Sequence, residues 1–573
     1  MGLSSPAGQP RLLRTTAAVL VASAVAACCA CGGDSRPTPH PHPLPTASPA
    51  QAASCGEGAL DATGPASGGM VSTPDPEATA AGCRVLADGG TAADALVASQ
   101  YVLGLTEPQF SGPGGGGLAV YHDGPSGITE SFDGTVYAPE DAAARGSVGV
   151  PQTDRLMDTL RARFGTMDLG TLTQPARRLA TDGFTVSRRL ADAMSARREL
   201  FDHLPAAGET MTNADYADYL AGLQGTSDPL EPEDPLCVPY QGYRVCGSHG
   251  TETGMAVVGE TLGILDHLDL ARLTPYSTGT APVARATAQH LVMEAERLAF
   301  ADANTWMADA AVDPDRARDY VRDLVTGSDH LADAADRITQ RRTLHDPQPS
   351  SLAGRSADYS DSNDQGTSQI TVRDSAGSTA SLTTTLQRSF GSGEKEHGYF
   401  LNNSLDNFTA DAEEGQPNRR EPGAHPRTMM SPLLVFSDSG DGADGADGGD
   451  GAGTDGAPVM ALGSPGGRKI PSYVVKALVA MVDWDLTPAQ AVRMPNFGAE
   501  NRGAVYSVSE HGDGASDSDA DTARRLLEGW GHELRPGSFD SGLSVLRVAG
   551  EQVSGAADAR RDGAVAGVAP EGA

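Results

Sequence analysis

Apolar residues recur at three- and four-residue steps through several stretches of this chain, and give way elsewhere to strand-like runs. In "TPDPEATAAGCRVLADGGTAADALVASQYVLGLTEP", Pro76 and Glu77 open one helix, Gly89 and Gly90 stop it, and Thr91 caps a second, so a helical hairpin is expected. Residues 152–225 read as mostly helical. "APVARATAQHLVMEAERLAFADANTWMAD" reads as a long amphipathic helix whose Met293, Phe300 and Trp306 belong to the core. The period then shortens. "SQITVRDSAGSTASLTTTL" predicts a hairpin turning around Asp374 to Ser378, although it carries more hydroxyls than a buried strand needs, and "SPLLVFSD" predicts a further strand. Helices return at "TPAQAV", where Thr487, Pro488 and Gln490 form a capping box, and in "DTARRLLEGWGHEL". Helix pairs, strands and helices in that order suit an α/β layered body.

Several segments break these patterns. Arg11 and Arg14 precede the apolar run "TTAAVLVASAVAA", too short to span a bilayer as a mature helix, which marks residues 1–27 as a signal peptide. The run ends in "VAAC", which resembles a bacterial lipobox and makes Cys28 the lipidated residue of a lipoprotein. Residues 28–54 are proline-rich and read as an extended tether, on which the two histidines of "HPHP" cannot hold ligand geometry. Residues 345–366, polar and rich in serine and aspartate, read as a mobile loop ending at Gly366. The Gly/Asp run across 437–457 lacks β-roll calcium spacing and reads as a disordered loop. Gly114 to Gly117 precede a strand and lack the GK[ST] ending, so they are no phosphate loop; they permit close backbone approach.

With 42 basic and 75 acidic residues the chain carries a formal charge of −33, which argues against nucleic acid or anionic lipid as a partner for the body of the protein. Three of the seven cysteines lie in the anchor region. The other four admit three pairings; Cys237 and Cys246 flank a short hairpin and are expected to pair, leaving Cys55 to Cys83. None of these four stands in a zinc-type CxxC spacing.

The chemistry gathers at Gly366-Thr367. An internal threonine hydroxyl is a poor nucleophile because its proton is held tightly. If the peptide before Thr367 were cut, the new α-amino group, with an ordinary pKa of about 7.7 to 8.0, would stand beside the hydroxyl as its base. A glycine before the threonine lets the hydroxyl reach the preceding carbonyl.

The motifs "GGTAADALVA", "SGPGGGGLAVY", "RLAFAD", "GTSQITVRDSAG" with "FGSG", "LNNSLDNF", "MMSP", "GSPGGRKI" and "ADARRDG", in this order, resemble the γ-glutamyltranspeptidase family of N-terminal-nucleophile (Ntn) hydrolases. The resemblance implies a four-layer αββα sandwich cut between Gly366 and Thr367 into a large subunit, 55–366, and a small one, 367–573. It implies Thr367 as nucleophile and base, Thr385 as its hydrogen-bond partner, and the N–H groups of Gly466 and Gly467 as oxyanion hole. It further implies a γ-glutamyl amide such as glutathione as substrate, an acyl-threonine intermediate, water or an amine as acceptor, and no metal or organic cofactor.

Four positions depart from the family pattern. Thr135 stands where the family has the arginine that reads the substrate's α-carboxylate, and Asn407 where it has the aspartate that reads the α-amino group. Gln387 replaces the usual Asn or Glu, and Thr428 keeps one hydroxyl of a pair whose second member is Met429. Two other functions therefore stay in view: an acylase on the same scaffold acting on a different amide, and an uncleaved, non-catalytic binding lipoprotein. The expected location is outside the cytoplasm, lipid-anchored to the cell membrane or secreted.

Overall fold

The first helical hairpin forms where its caps put it. In α1 (Pro76–Ala87) the Asp75 carboxylate accepts from the Ala78 N–H at 2.9 Å, and in α2 (Ala92–Thr106) Thr91 and Asp94 cap one another reciprocally. α3 (Thr153–Phe164), α4 (Leu169–Asp182), α5 (Arg188–Ala196) and α6 (Ala214–Gly222) fill the expected helical stretch. A computed structural model describes residues 54–569, except 57, 141–145, 251–252, 274–281, 353–365, 439–455, 502–505, 508–517 and 535–538. The signal peptide, Cys28, nearly all of the tether and most of the loops expected at 345–366 and 437–457 lie outside the described residues.

The early strands are β1 (Ser54–Cys55), β2 (Asp61–Pro65), β3 (Met70–Thr73), β4 (Gly116–Asp123) and β5 (Ile128–Gly134). β6 (Leu236–Tyr240) and β7 (Tyr243–Gly247) make the expected cysteine hairpin, and both disulfides, Cys55–Cys83 and Cys237–Cys246, are formed. β8 (Gly366–Arg373) and β9 (Thr379–Gln387) form the hairpin read from "SQITVRDSAGSTASLTTTL". β10 (Leu433–Ser437), β11 (Met460–Gly463), β12 (Ser544–Ala549), β13 (Gln552–Ala557) and β14 (Ala564–Ala569) follow.

These strands build two antiparallel sheets, in the orders β1-β14-β3-β8-β9-β4-β5 and β2-β13-β12-β11-β10-β7-β6. In both, strands from before and after residue 366 are interleaved. Gly114 and Gly115 do allow close approach, since an added methyl group would stand 2.1 Å from the Phe400 carbonyl oxygen and 2.2 Å from that of Thr385.

The hydroxyl excess in β8 and β9 has a structural cause. Every residue of β8 is buried, so its polar side chains must find partners inside the protein. Thr383 donates to Gln369 Oε1 at 2.6 Å, while across to the second sheet Ser381 donates to the Leu462 carbonyl at 2.9 Å and Thr371 to that of Ser544 at 3.3 Å. Ser544 returns a bond to the Ser72 carbonyl at 3.0 Å. Hydroxyls here join two sheets where aliphatic residues would have packed them.

Apolar cores lie on the other side of each sheet. Ile370, Val372 and Leu382 pack with Leu96, Leu103 and Leu160 of α2 and α3, and Leu433, Leu462 and Val545 pack with the second helical group. That group comprises α7 (Gly254–Asp266), α8 (Pro282–Trp306), α9 (Pro314–Tyr320), α10 (Ser328–Arg337), α11 (Ile470–Val482), α12 (Pro488–Arg493) and α13 (Ser518–Gly529). Thr487 and Gln490 form the expected capping box of α12.

α8 departs from the amphipathic expectation. Met293, Phe300 and Trp306 are core residues as expected, but the helix is buried on every side from Ala286 to Asn304. Its polar residues face loop backbone instead of solvent: Glu294 accepts from the Leu344 N–H at 2.6 Å, Glu296 from that of Ala499 at 2.7 Å, and Asp302 from that of Ser350.

Candidate active site

β8 begins at Gly366, and its ladder with β9 breaks step there. Gly366 pairs with Gln387 but Thr367 with Thr385, which leaves Leu386 as the extra residue of a bulge at the expected cleavage point. A methyl group on residue 366 would stand 2.6 Å from the carbonyl carbon and oxygen of Arg388, so the position admits only glycine. Gly366→Ala should therefore displace the Gly366 carbonyl and slow chain cleavage by roughly tenfold or more, as misplacement of a reacting group does. A gel time course of the freshly made chain measures this; wild-type cleavage kinetics would refute it.

Thr367 is 1% exposed, and its Oγ1 lies 3.3 Å from Thr385 Oγ1. The Gln387 N–H donates to Thr385 Oγ1 at 2.8 Å, which directs the Thr385 proton onward to the Gly366 carbonyl oxygen at 2.5 Å. One threonine thus touches the Thr367 hydroxyl and polarises the carbonyl beside it.

Behind β8 stand two buried charges and a part-buried one. Arg561 donates to the Thr367 carbonyl at 3.0 Å and to that of Asp540 at 2.8 Å. Arg189 donates to the Arg561 carbonyl at 2.7 Å and pairs with Glu107 at 2.9 Å, while Ser368 donates to Glu107 at 2.8 Å. Burial, then the like charge of Arg189, brings Arg561 down to about 10; burial raises Glu107, opposed by Arg189 and Ser368. Arg561 lies in the motif "ADARRDG", whereas nothing in sequence spacing pointed to Glu107 or Arg189.

Thr385 also lines a narrow cleft with about 20 Å³ of free space, and Thr135, Gln387, Asn407 and Thr428 meet there with Ser404 and Arg427. Four residues expected to bind substrate are thus brought together, but their bonding differs from the sequence reading. The Thr135 hydroxyl donates to Asp133 at 2.6 Å and lies 2.7 Å from His425 Nδ1, so its proton is committed away from a ligand. Asn407 Oδ1 accepts from Gln387 Nε2 at 2.7 Å. Gln387 holds a φ of +78°, unusual for a residue with a side chain, and its buried Oε1 has no hydrogen-bond partner among the described residues. The Thr428 hydroxyl accepts from the Met430 N–H at 3.3 Å. Arg427, 3% exposed, donates to the Ala303 carbonyl at 3.2 Å and brings into this wall a guanidinium that the motif comparison missed.

Gly466 and Gly467 form the turn between β11 and α11, with φ of +140° and +61°. A methyl group on residue 466 would stand 2.5 Å from the Tyr473 ring. Tyr473 is electrostatically linked to Arg561, which bonds Thr367. Among the described residues two groups of side chains could hold a metal ion, His290–Glu294–His532 and Glu260–Asp302–His330, and neither includes a residue of this site.

A buried threonine hydroxyl at a strand start, a polarised carbonyl before it and a polar cleft beside both are the parts that a self-processing threonine hydrolase needs. The sequence model of the gamma-glutamyltranspeptidase family matches residues 78–224 and 199–568, and the chain belongs to that family. It is 26% identical over 577 residues to the glutathione hydrolase proenzyme of Bacillus subtilis (strain 168), covering 87% of this chain and 91% of that protein. It is also 26% identical over 520 residues to the acylase ACY 1 proenzyme of Pseudomonas sp. (strain SE83), covering 78% and 85%. In fold it is similar to the crystal structure of cephalosporin acylase from Bacillus halodurans, with a TM-score of 0.71, 19% identity, and 92% and 98% of the two chains covered. Among the described residues no helix is long and apolar enough to cross a membrane.

Proposed function

We propose that the chain cleaves itself between Gly366 and Thr367 and then hydrolyses γ-glutamyl amides such as glutathione, or passes the acyl group to an amine. The observation that carries this reading is the Thr385 hydroxyl, set between the Thr367 hydroxyl and the Gly366 carbonyl. In the first step Thr367 Oγ1 bonds to the Gly366 carbonyl carbon, Thr385 stabilises the oxyanion, and the C–N bond breaks as the nitrogen takes the hydroxyl proton. Water then adds to the resulting ester, releasing the Gly366 carboxyl and restoring the Thr367 hydroxyl beside the α-amine that the first step freed. That amine is the base for each later turnover: it takes the hydroxyl proton as Thr367 attacks the substrate amide and returns it to the leaving amine. The N–H groups of Gly466 and Gly467 would hold the substrate oxyanion.

On this reading the two sheets and their helices make the four-layer αββα arrangement, with residues 55–366 and 367–573 as the large and small subunits. Residues 1–27 would direct export, and Cys28, if lipidated, would be the only link to the membrane. Mass spectrometry of the purified protein tests the core claim through a fragment that begins at Thr367. An intact chain would remove the enzyme readings and leave the binding lipoprotein.

The pocket supports an acyl group with an anionic end and an N–H donor, because Arg427 offers a buried cation and Gln387 Oε1 an unused acceptor. Arg427→Ala should raise KM for a γ-glutamyl anilide about 30-fold or more, with a smaller change in kcat, since losing one partner of a buried charge pair costs about 2–5 kcal/mol. An unchanged KM would favour the second reading, an acylase for amides without the amino-acid head. The engaged Thr135 proton is the observation that keeps that reading alive.

A further inference from the structure

We propose that Glu260, Asp302 and His330 bind a divalent transition-metal ion such as zinc. They come from three helices, α7, α8 and α10, without any metal-type spacing between them, although Asp302 closes the motif "RLAFAD". His330 Nε2 lies 3.1 Å from Glu260 Oε1 and 3.6 Å from Asp302 Oδ2. Ligands held tetrahedrally at about 2.0–2.2 Å from a zinc ion stand roughly 3.3–3.5 Å apart; both distances from His330 are close to that, and all three ligand atoms lie within 4.8 Å of one another. Two carboxylates and a neutral imidazole would cancel the charge of such an ion, and imidazole favours transition metals over calcium or magnesium.

Two further atoms point the same way. Glu260 is 0% exposed and its Oε2 has no hydrogen-bond partner among the described residues; the same holds for the hydroxyl of Tyr320, also 0% exposed. A buried carboxylate oxygen without a donor is costly, and a cation removes that cost. The part-exposed His330 provides an entry path. In the other group, His290 Nδ1 and His532 Nε2 stand only 2.6 Å apart, well inside the separation of two ligands on one ion, and Glu294 already pairs with Arg297.

The ion would brace the approach to the cleavage point. Asp302 Oδ1 accepts from the Ser350 N–H, and Trp306 Nε1 donates to the Ser350 carbonyl at 2.8 Å, on the segment that leads to Gly366.

The test uses the full chain stripped with a chelator and titrated with Zn²⁺, read by bound metal and by thermal unfolding. Wild type should bind one equivalent and melt at a higher temperature, and both Glu260→Gln and His330→Gln should lose at least tenfold in affinity together with the shift in Tm. Co²⁺ should give visible absorption bands of a tetrahedral site that His330→Gln abolishes. Equal binding and equal Tm shifts in wild type and His330→Gln would overturn the site, as would a wild type that takes up no zinc. His330 is part-exposed, so its variant should fold even where Glu260→Gln does not.

Discussion

Thr367→Ala should yield a single uncut polypeptide with no measurable turnover. The substitution removes the only atom that can attack the Gly366 carbonyl, so no ester forms, no α-amine is released, and the substrate meets neither nucleophile nor base. Losing the group on which such a catalytic unit depends costs at least about 10⁴-fold in rate. The rest of the site should survive, because Thr385 keeps its bond to the Gly366 carbonyl and the Gln387 N–H keeps its bond to Thr385. Denaturing gels and a γ-glutamyl anilide assay read both effects in one preparation. Thr367→Ser keeps hydroxyl and amine and should restore cleavage and part of the rate. A Thr367→Ala protein that still broke at residue 366 would mean that another group performs the attack.

Gly466→Ala should separate the two chemistries. At a φ of +140° a side chain is strained, and the new methyl group would press on the Tyr473 ring at 2.5 Å. The turn must shift, and with it the N–H groups of the proposed oxyanion hole. Loss of such a donor costs about 10²–10³-fold in kcat. Self-cleavage should continue, because the carbonyl in that step is held by Thr385. The expected result is therefore a chain that matures normally, shows little change in KM and turns over slowly. Full kcat in this variant would exclude the turn from catalysis, and failure to mature would mean that both steps share one hole.

Most of the architecture was legible because local rules and tertiary demands agree. Asp75 and Thr91 cap the helices they precede, and the Cys237–Cys246 pair closes a two-strand hairpin. α8 was misread because its charged residues recur at helical spacing, yet their partners are backbone N–H groups of distant loops, which no local pattern encodes. The same limit held at the site. Thr367, Thr385, Gln387 and Asn407 could be found from motifs, but not that the Thr135 proton goes to Asp133, nor that Arg427 enters the pocket wall. The bulge between Gly366 and Thr367 depends on the register between two strands and has no sequence signature of its own.

Both sheets alternate strands from the two sides of residue 366, with β14 between β1 and β3, and β10 to β13 between β7 and β2. Once the bond is broken, the halves are woven together like the fingers of two hands, and neither can leave without unzipping both sheets. Renaturation then becomes a meeting of two molecules: a heated mature sample should recover in proportion to its concentration, while uncut precursor recovers independently of dilution.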